Sequence, residues 1–203
     1  IAPAHIENLG SEEAIADAKA EIFGGLVHGG TAVIPADSPH FERLRAAALE
    51  CLVRHGEAAD VPMLVRLAAQ AANVPADPVR KTLQRMGKPG VDAALINLIK
   101  SPNAAERAAV LGVLASRRVE AALPTLVELL NGADVVLAIE AAKALGVMGT
   151  SGQLKELAGM MAKTGDAGLR GASEAAAQAI CRRAADKAAM ARLVLPAWEQ
   201  ATA

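Results

Sequence analysis

The sequence predicts an all-α protein over residues 41–203, a solenoid of short antiparallel helix pairs, preceded by a short α/β segment at residues 1–40. Three observations carry that expectation. One apolar helical template recurs along the chain at near-regular intervals, the sequence signature of stacked repeats. Small polar residues precede the intervening helices and glycines follow them, as helix caps require. Aromatic residues make up only 1% of the chain, so the core must be built from Ala, Leu, Val, Ile and Met, which suit closely packed helices.

The first 40 residues read as loop, helix, glycine turn and strand. Ser11 caps a helix whose first turn carries Glu12 and Glu13, acids favoured by the positive end of the helix dipole. Ile15, Ile22 and Leu26 share one face of that helix. Gly24, Gly25, Gly29 and Gly30 close the segment, and residues 31–34 (Thr-Ala-Val-Ile) form a short β-like run ended by Pro35. A helix over roughly 39–56 follows.

Beyond it, apolar residues at i, i+3, i+4 and i+7 mark a first helix series. Val61, Leu64, Val65 and Ala68 fit the template, as do Val91, Ala94, Leu95, Leu98 and Ile99. Val119, Ala122, Leu123, Leu126 and Val127 repeat it, then Leu154, Leu157, Ala158 and Met161. Met190, Leu193, Val194, Ala197 and Trp198 complete the set. The template starts are 28 to 36 residues apart. A second series runs at approximately 39–56, 77–87, 103–117, 134–148 and 167–184, initiated at Ser38-Pro39, Asp77-Pro78, Asn103, Asp134 and Asp166 and broken at Gly56, Gly87 and Gly149. Short connections make neighbours antiparallel, and stacking buries stripes too narrow to fold alone. Leu95, Leu98, Leu126, Leu145 and Leu157 are expected between the layers.

Composition excludes several functions. With Phe23, Phe41 and Trp198 as the whole aromatic complement, stacking on unpaired bases has almost nothing to work with. Net charge is −1 overall, divided as −5 over residues 1–50 and +4 over 51–203, too mild for a duplex-DNA footprint. No nucleic acid partner is expected. No apolar run approaches the roughly 18 residues of a membrane span, so no membrane association is expected. Cys51 and Cys181 sit on apolar helix faces and read as buried free thiols, consistent with a cytoplasmic protein.

The phrases ADPVRKTLQRMG (76–87), VEAALPTLVELLNGAD (119–134) and VVLAIEAAKALGVMG (135–149) resemble HEAT repeats. Pro62 and Pro124 fall where that family places proline in the first helix. The family's Asp at the turn and Arg early in the second helix are matched by Asp77/Arg80 and Asp166/Arg170, and nearly by Asn103/Arg107, whereas Asp134 is followed by Ala138. The resemblance implies that these residues form a hydrogen-bonded ladder between repeats. A partner-binding role for Arg80, Arg107 and Arg170 is the alternative, on a concave wall of second helices.

The stretches IAPAHIENLGSEEAIADAKAEIFGGL (1–26) and GGTAVIPADSPHFERLRAAA (29–48) resemble the central domain of the Mur ligases, which use ATP to form amide bonds in peptidoglycan precursors. By that resemblance His5 falls at a Mg²⁺ ligand and Lys19 at a carbamylated lysine supporting the metal. A carbamate is an oxygen donor suited to Mg²⁺. The phosphate loop G-x-x-x-x-G-K-[ST] is not found in these 203 residues. Gly87-Lys88-Pro89 and the run 146–152 lack Lys followed by Ser or Thr and read as turns. Mg²⁺ and ATP are therefore expected only in an intact ligase, and this chain is expected to have no cofactor.

His28, His40 and His55 stand apart from one another and read as surface or capping residues. Arg182, Arg183 and Lys187 read as solvated surface, and Trp198 as sealing the last repeat. The functional expectation is a non-enzymatic scaffold that binds a protein partner through the repeat surface, as a monomer or weak oligomer. The alternative is a truncated or chimeric Mur ligase, inactive in this form.

Overall fold

The computed structural model describes residues 9–26, 30–70 and 76–184. Expectations for His5, His28, Lys187, Met190, Leu193, Val194, Ala197 and Trp198 lie outside those residues. Within them the protein is all-helical: α1 (Glu12–Ala20), α2 (Phe41–His55), α3 (Val61–Ala69), α4 (Ala76–Arg85), α5 (Val91–Leu98), α6 (Ala104–Arg117), α7 (Leu123–Leu130), α8 (Val135–Met148), α9 (Leu154–Lys163) and α10 (Ala167–Arg183). Two compact units divide at residue 91, Ile1–Val91 and Asp92–Ala203.

In the first unit, α1 begins where the sequence places it. The Ser11 hydroxyl accepts a hydrogen bond from the Ala14 N–H at 3.1 Å. Ile15 and Phe23 are buried, but Ile22 is 66% exposed and Leu26 also faces out. The shared face fails because the α-helix ends at Ala20 and tightens into a 3-10 turn, Glu21–Gly25. At about three residues per turn instead of 3.6, later side chains rotate off the original stripe. The expected strand at 31–34 is also absent: those residues are irregular, and Val33 is 90% exposed. An extended run needs a neighbouring strand for its N–H and C=O groups, and the described residues contain no strand. α2 packs against α1 and α4, and α3 packs against α4.

In the second unit, α8 packs against α6, α7 and α10, and α9 against α10. The first-series helices are short, eight residues for α5 and α7. Pro62 and Pro124 occupy the first turns of α3 and α7, where the missing N–H is one the helix leaves unpaired anyway. Leu95, Leu126, Leu145 and Leu157 are fully buried. Leu98 is only half-buried, and Ile99 is fully buried in its neighbourhood. The buried line in α5 follows the i+4 row Val91–Leu95–Ile99, as it does in Ala122–Leu126–Leu130. Leu98, at i+7 from Val91, falls on the edge of a stripe centred further round.

Three of the five expected caps hold by side chain. Asn103 Oδ1 accepts from Ala105 and Glu106 N–H, Asp134 Oδ1 from Val136 and Leu137, and Asp166 Oδ1 from Leu169. Ser38 instead accepts from the His40 N–H, one turn before α2 begins. Asp77 lies inside the first turn of α4, where its carboxylate pairs with Lys81 at 2.6 Å. Proline at 78 favours an early start for α4, because it fits a first turn better than a later one. Gly56 and Gly149 terminate α2 and α8, whereas Gly87 lies beyond the end of α4 at Arg85. Glycine is required at 149, because an added Cβ would come within 2.5 Å of the Leu145 carbonyl oxygen.

Candidate interaction surface

Arg107 and Arg170 stand four residues after their caps Asn103 and Asp166, one turn into α6 and α10. Each reaches back six residues to a loop carbonyl: Arg107 Nη1 donates to Ser101 O at 2.9 Å, and Arg170 Nη2 to Thr164 O at 2.6 Å. Arg107 Nη1 also donates to Pro102 O at 3.2 Å. Both arginines thus staple the turn that leads into their own helix, rather than forming an Asp–Arg ladder between repeats. The caps are likewise spent on their own helices. At the Asp134 position the staple is missing, because Ala138 has no donor, and its methyl is fully buried instead. Arg80 is exposed on α4.

Arg107 does make one contact to the next second-series helix. Its Nε lies 3.8 Å from Glu140 Oε2 on α8, an ion pair too long for a hydrogen bond. Both atoms are buried without a hydrogen-bond partner. Arg107 is only 8% exposed, and its staple to Ser101 and Pro102 satisfies Nη1 while Nε stays unpaired.

The ties between elements come from arginines at helix ends instead. Arg85, in the last turn of α4, holds Glu50 of α2 through two parallel bonds of 2.7 and 2.9 Å. That fork holds the Glu50 carboxyl below the usual carboxylate range and raises Arg85. Arg117, ending α6, pairs with Asp92 of α5 at 2.7 Å. Arg183, ending α10, donates to the Gly146 and Gly149 carbonyls of α8 at 2.6 and 3.0 Å. Arg183 is therefore not idle solvated charge. It fills the carbonyl-rich end of α8, where a cation also meets the negative end of the helix dipole. A last-turn arginine is a weak signal in sequence, since any helix favours a cation there.

On α1, Lys19 is exposed in the last turn. Among the described residues no group of three or more His, Cys, Asp or Glu is placed to hold a metal ion. α1 is tied to α2 by Asp17, which accepts from Arg43 at 2.6 and 3.1 Å, and by Glu12 at 3.4 Å from His40 Nε2. Cys51 and Cys181 are free and half-buried rather than fully buried, and the Cys51 thiol donates to Phe23 O at 3.1 Å. No described helix is long and apolar enough to cross a membrane.

The second-series helices each leave part of their surface open. α8 is covered by α6, α7 and α10 and leaves exposed only Val135, Val136, Lys143 and Val147, with Glu140 half-covered. α6 exposes Ala104, Ala105, Ala108, Gly112 and Ser116, and α10 exposes small residues together with Arg170, Glu174, Gln178, Arg182 and Arg183.

Residues 1–90 match the family model described as the Mur ligase middle domain, and residues 92–178 match that of HEAT repeats. The two matches meet where the two compact units divide. No curated protein matches the chain.

Proposed function

We propose that this chain, a Mur ligase middle-domain segment followed by HEAT repeats, is a non-enzymatic scaffold that binds a protein partner through its repeat surface. The observation that carries the reading is the open face of α8. A helix packed on three sides still presents valines to solvent, where a purely structural helix would carry polar residues. The pairs α3/α4, α5/α6, α7/α8 and α9/α10 are read as antiparallel, since their short connections leave little other choice. The helix alternation begins at α2, near residue 41, while the Mur ligase middle-domain match runs on to residue 90 and the HEAT match begins at 92. On this reading the chain works in the cytoplasm, without cofactor, nucleic acid or membrane, as a monomer or weak oligomer.

The test is site-specific photo-crosslinking in cells of the source organism. Probes at positions 136, 143 and 147 should capture one recurrent protein. Probes on the exposed first-series positions 128 and 155 should not. Capture at equal, low yield from both sets would overturn the scaffold reading.

The second reading is a D-alanyl-D-alanine-adding ligase of peptidoglycan synthesis as the origin of the first unit, inactive in this form. The 1–90 match favours it as an ancestry. Calorimetric titration with Mg-ATP, and phosphate release with the tripeptide precursor and D-alanyl-D-alanine, are expected to show neither binding nor turnover. Micromolar ATP binding lost in Lys19→Ala would restore the enzyme.

A further inference from the structure

We infer that Asn131 and Gly132, in the turn between α7 and α8, are a site of spontaneous deamidation that the fold holds shut.

Of the asparagines in the chain, only Asn131 is followed by glycine. With no Cβ on Gly132, nothing screens its nitrogen from the preceding side-chain amide, and its backbone turns freely. Both residues are exposed, so solvent base and water reach them. In the first step the Gly132 nitrogen loses its proton to solvent base and bonds to Asn131 Cγ. The Cγ–Nδ2 bond breaks, and the amide nitrogen takes up a proton and leaves as ammonia. Water then opens the five-membered imide at either of its carbonyls. One opening leaves an aspartate. The other leaves an isoaspartate, in which the main chain runs through the former side chain and is longer by one atom.

The structure opposes the first step in three ways. Ring closure needs the Gly132 nitrogen eclipsed with Cβ of Asn131, but at ψ 2° it is eclipsed with the Asn131 nitrogen instead. The Gly132 N–H donates to Leu129 O at 3.1 Å. The side-chain amide is folded back on α7, where its Nδ2 donates to Val127 O at 2.9 Å. Rotating ψ breaks the first of these bonds, and swinging Cγ towards the nitrogen breaks the second. The reaction therefore waits for the end of α7 to open. That helix has eight residues, and helix ends open at a fraction of the cost of global unfolding.

The products do not fit back. A carboxylate at position 131 has no N–H for Val127 O, and it puts negative charge at the C-terminal end of α7, where the helix dipole disfavours it. The isoaspartate also lengthens the four-residue connection between Leu130 and Val135, which holds the Asp134 cap of α8.

The test follows the full chain in mildly alkaline buffer, folded and in denaturing guanidinium, by peptide mapping with mass spectrometry. In denaturant, position 131 should convert from amide to acid faster than Asn97 or Asn103, with isoaspartate among the products. In the folded chain it should convert at least about tenfold more slowly, the factor given by an opening cost of about 1.4 kcal/mol. Asn131→Gln, whose ring would need six members, should lose the rapid conversion in that peptide. Asn131→Asp, which carries the charge of the product, should melt at a lower temperature than the unmodified chain.

Conversion at 131 no faster than at Asn97 and Asn103 in denaturant would overturn the site. Equal rates in the folded and denatured chain would overturn the protection by the fold. A melting temperature unchanged in Asn131→Asp would overturn the consequence for α7.

Discussion

Arg107 and Ser173 show how differently buried polar groups are treated within one unit. Arg107 and Arg170 are anchored on loop carbonyls six residues back. Ser173 is fully buried on α10 and its hydroxyl has no partner, not even the carbonyl one turn earlier. A hydroxyl left unpaired in a dry site forfeits its water bonds without replacement. Ser173→Ala is therefore expected to stabilise the protein by about 1 kcal/mol, read as a raised urea midpoint at constant slope. A lower midpoint would mean that the hydroxyl has a partner after all. Glu50 gives a second residue-scale expectation. Its carboxyl is depressed first by the hydrogen bonds from Arg85, so the pair's contribution is present above the unfolded carboxylate pKa. It is lost as pH falls through the lower folded value. In an NMR titration Arg85→Met should return the Glu50 side-chain carbon to the ordinary carboxylate range; an unchanged midpoint would remove the fork as the cause.

Helices in this chain are held by caps at one end and by close approach in the middle. Asp134 accepts from two N–H groups at the start of α8, whereas Asp77 sits one residue inside α4 and only pairs with Lys81 on the surface. Asp134→Ala should cost about 1 kcal/mol, and Asp77→Ala clearly less, in paired thermal melts. Gly146 lets α8 and α10 touch: an added Cβ would stand 3.0 Å from the Ala176 Cα. Gly146→Leu is expected to destabilise by about 1–3 kcal/mol despite a better helix propensity, because the obstacle is backbone. Leu126, fully buried on α7, should lose about 2–5 kcal/mol on truncation to Ala. A change well below 1 kcal/mol would put the buried row of α7 elsewhere.

Across the second unit the packing is sequential, each helix touching its near neighbours, with α8 contacted by α6, α7 and α10. Stability in such a stack is a sum of local and nearest-neighbour terms, so opening free energy varies along it. Native-state hydrogen exchange should find the slowest amides of this unit in the buried middle of α8, around Ala141, Ala142 and Leu145. Uniform protection from α5 to α10 would instead indicate one all-or-none core.

The periodic placement of Leu, Val and Ala was enough to determine the order and most boundaries of the described helices, because a 3.6-residue stripe is a local property of the chain. Side-chain caps at Asn103, Asp134 and Asp166 were legible for the same reason: the acceptor and the N–H it serves lie within three residues. What failed in the sequence reading depended on distant partners. Residues 31–34 carry β-forming side chains, but a strand exists only if another segment supplies its hydrogen bonds. Arg183 looked like idle surface charge until α10 brought it to the carbonyl end of α8, 34 to 37 residues away. The open face of α8 was hidden too. Val136 and Val147 belong to an apolar sequence that reads as core throughout, and only the placement of α6, α7 and α10 decides which side stays uncovered.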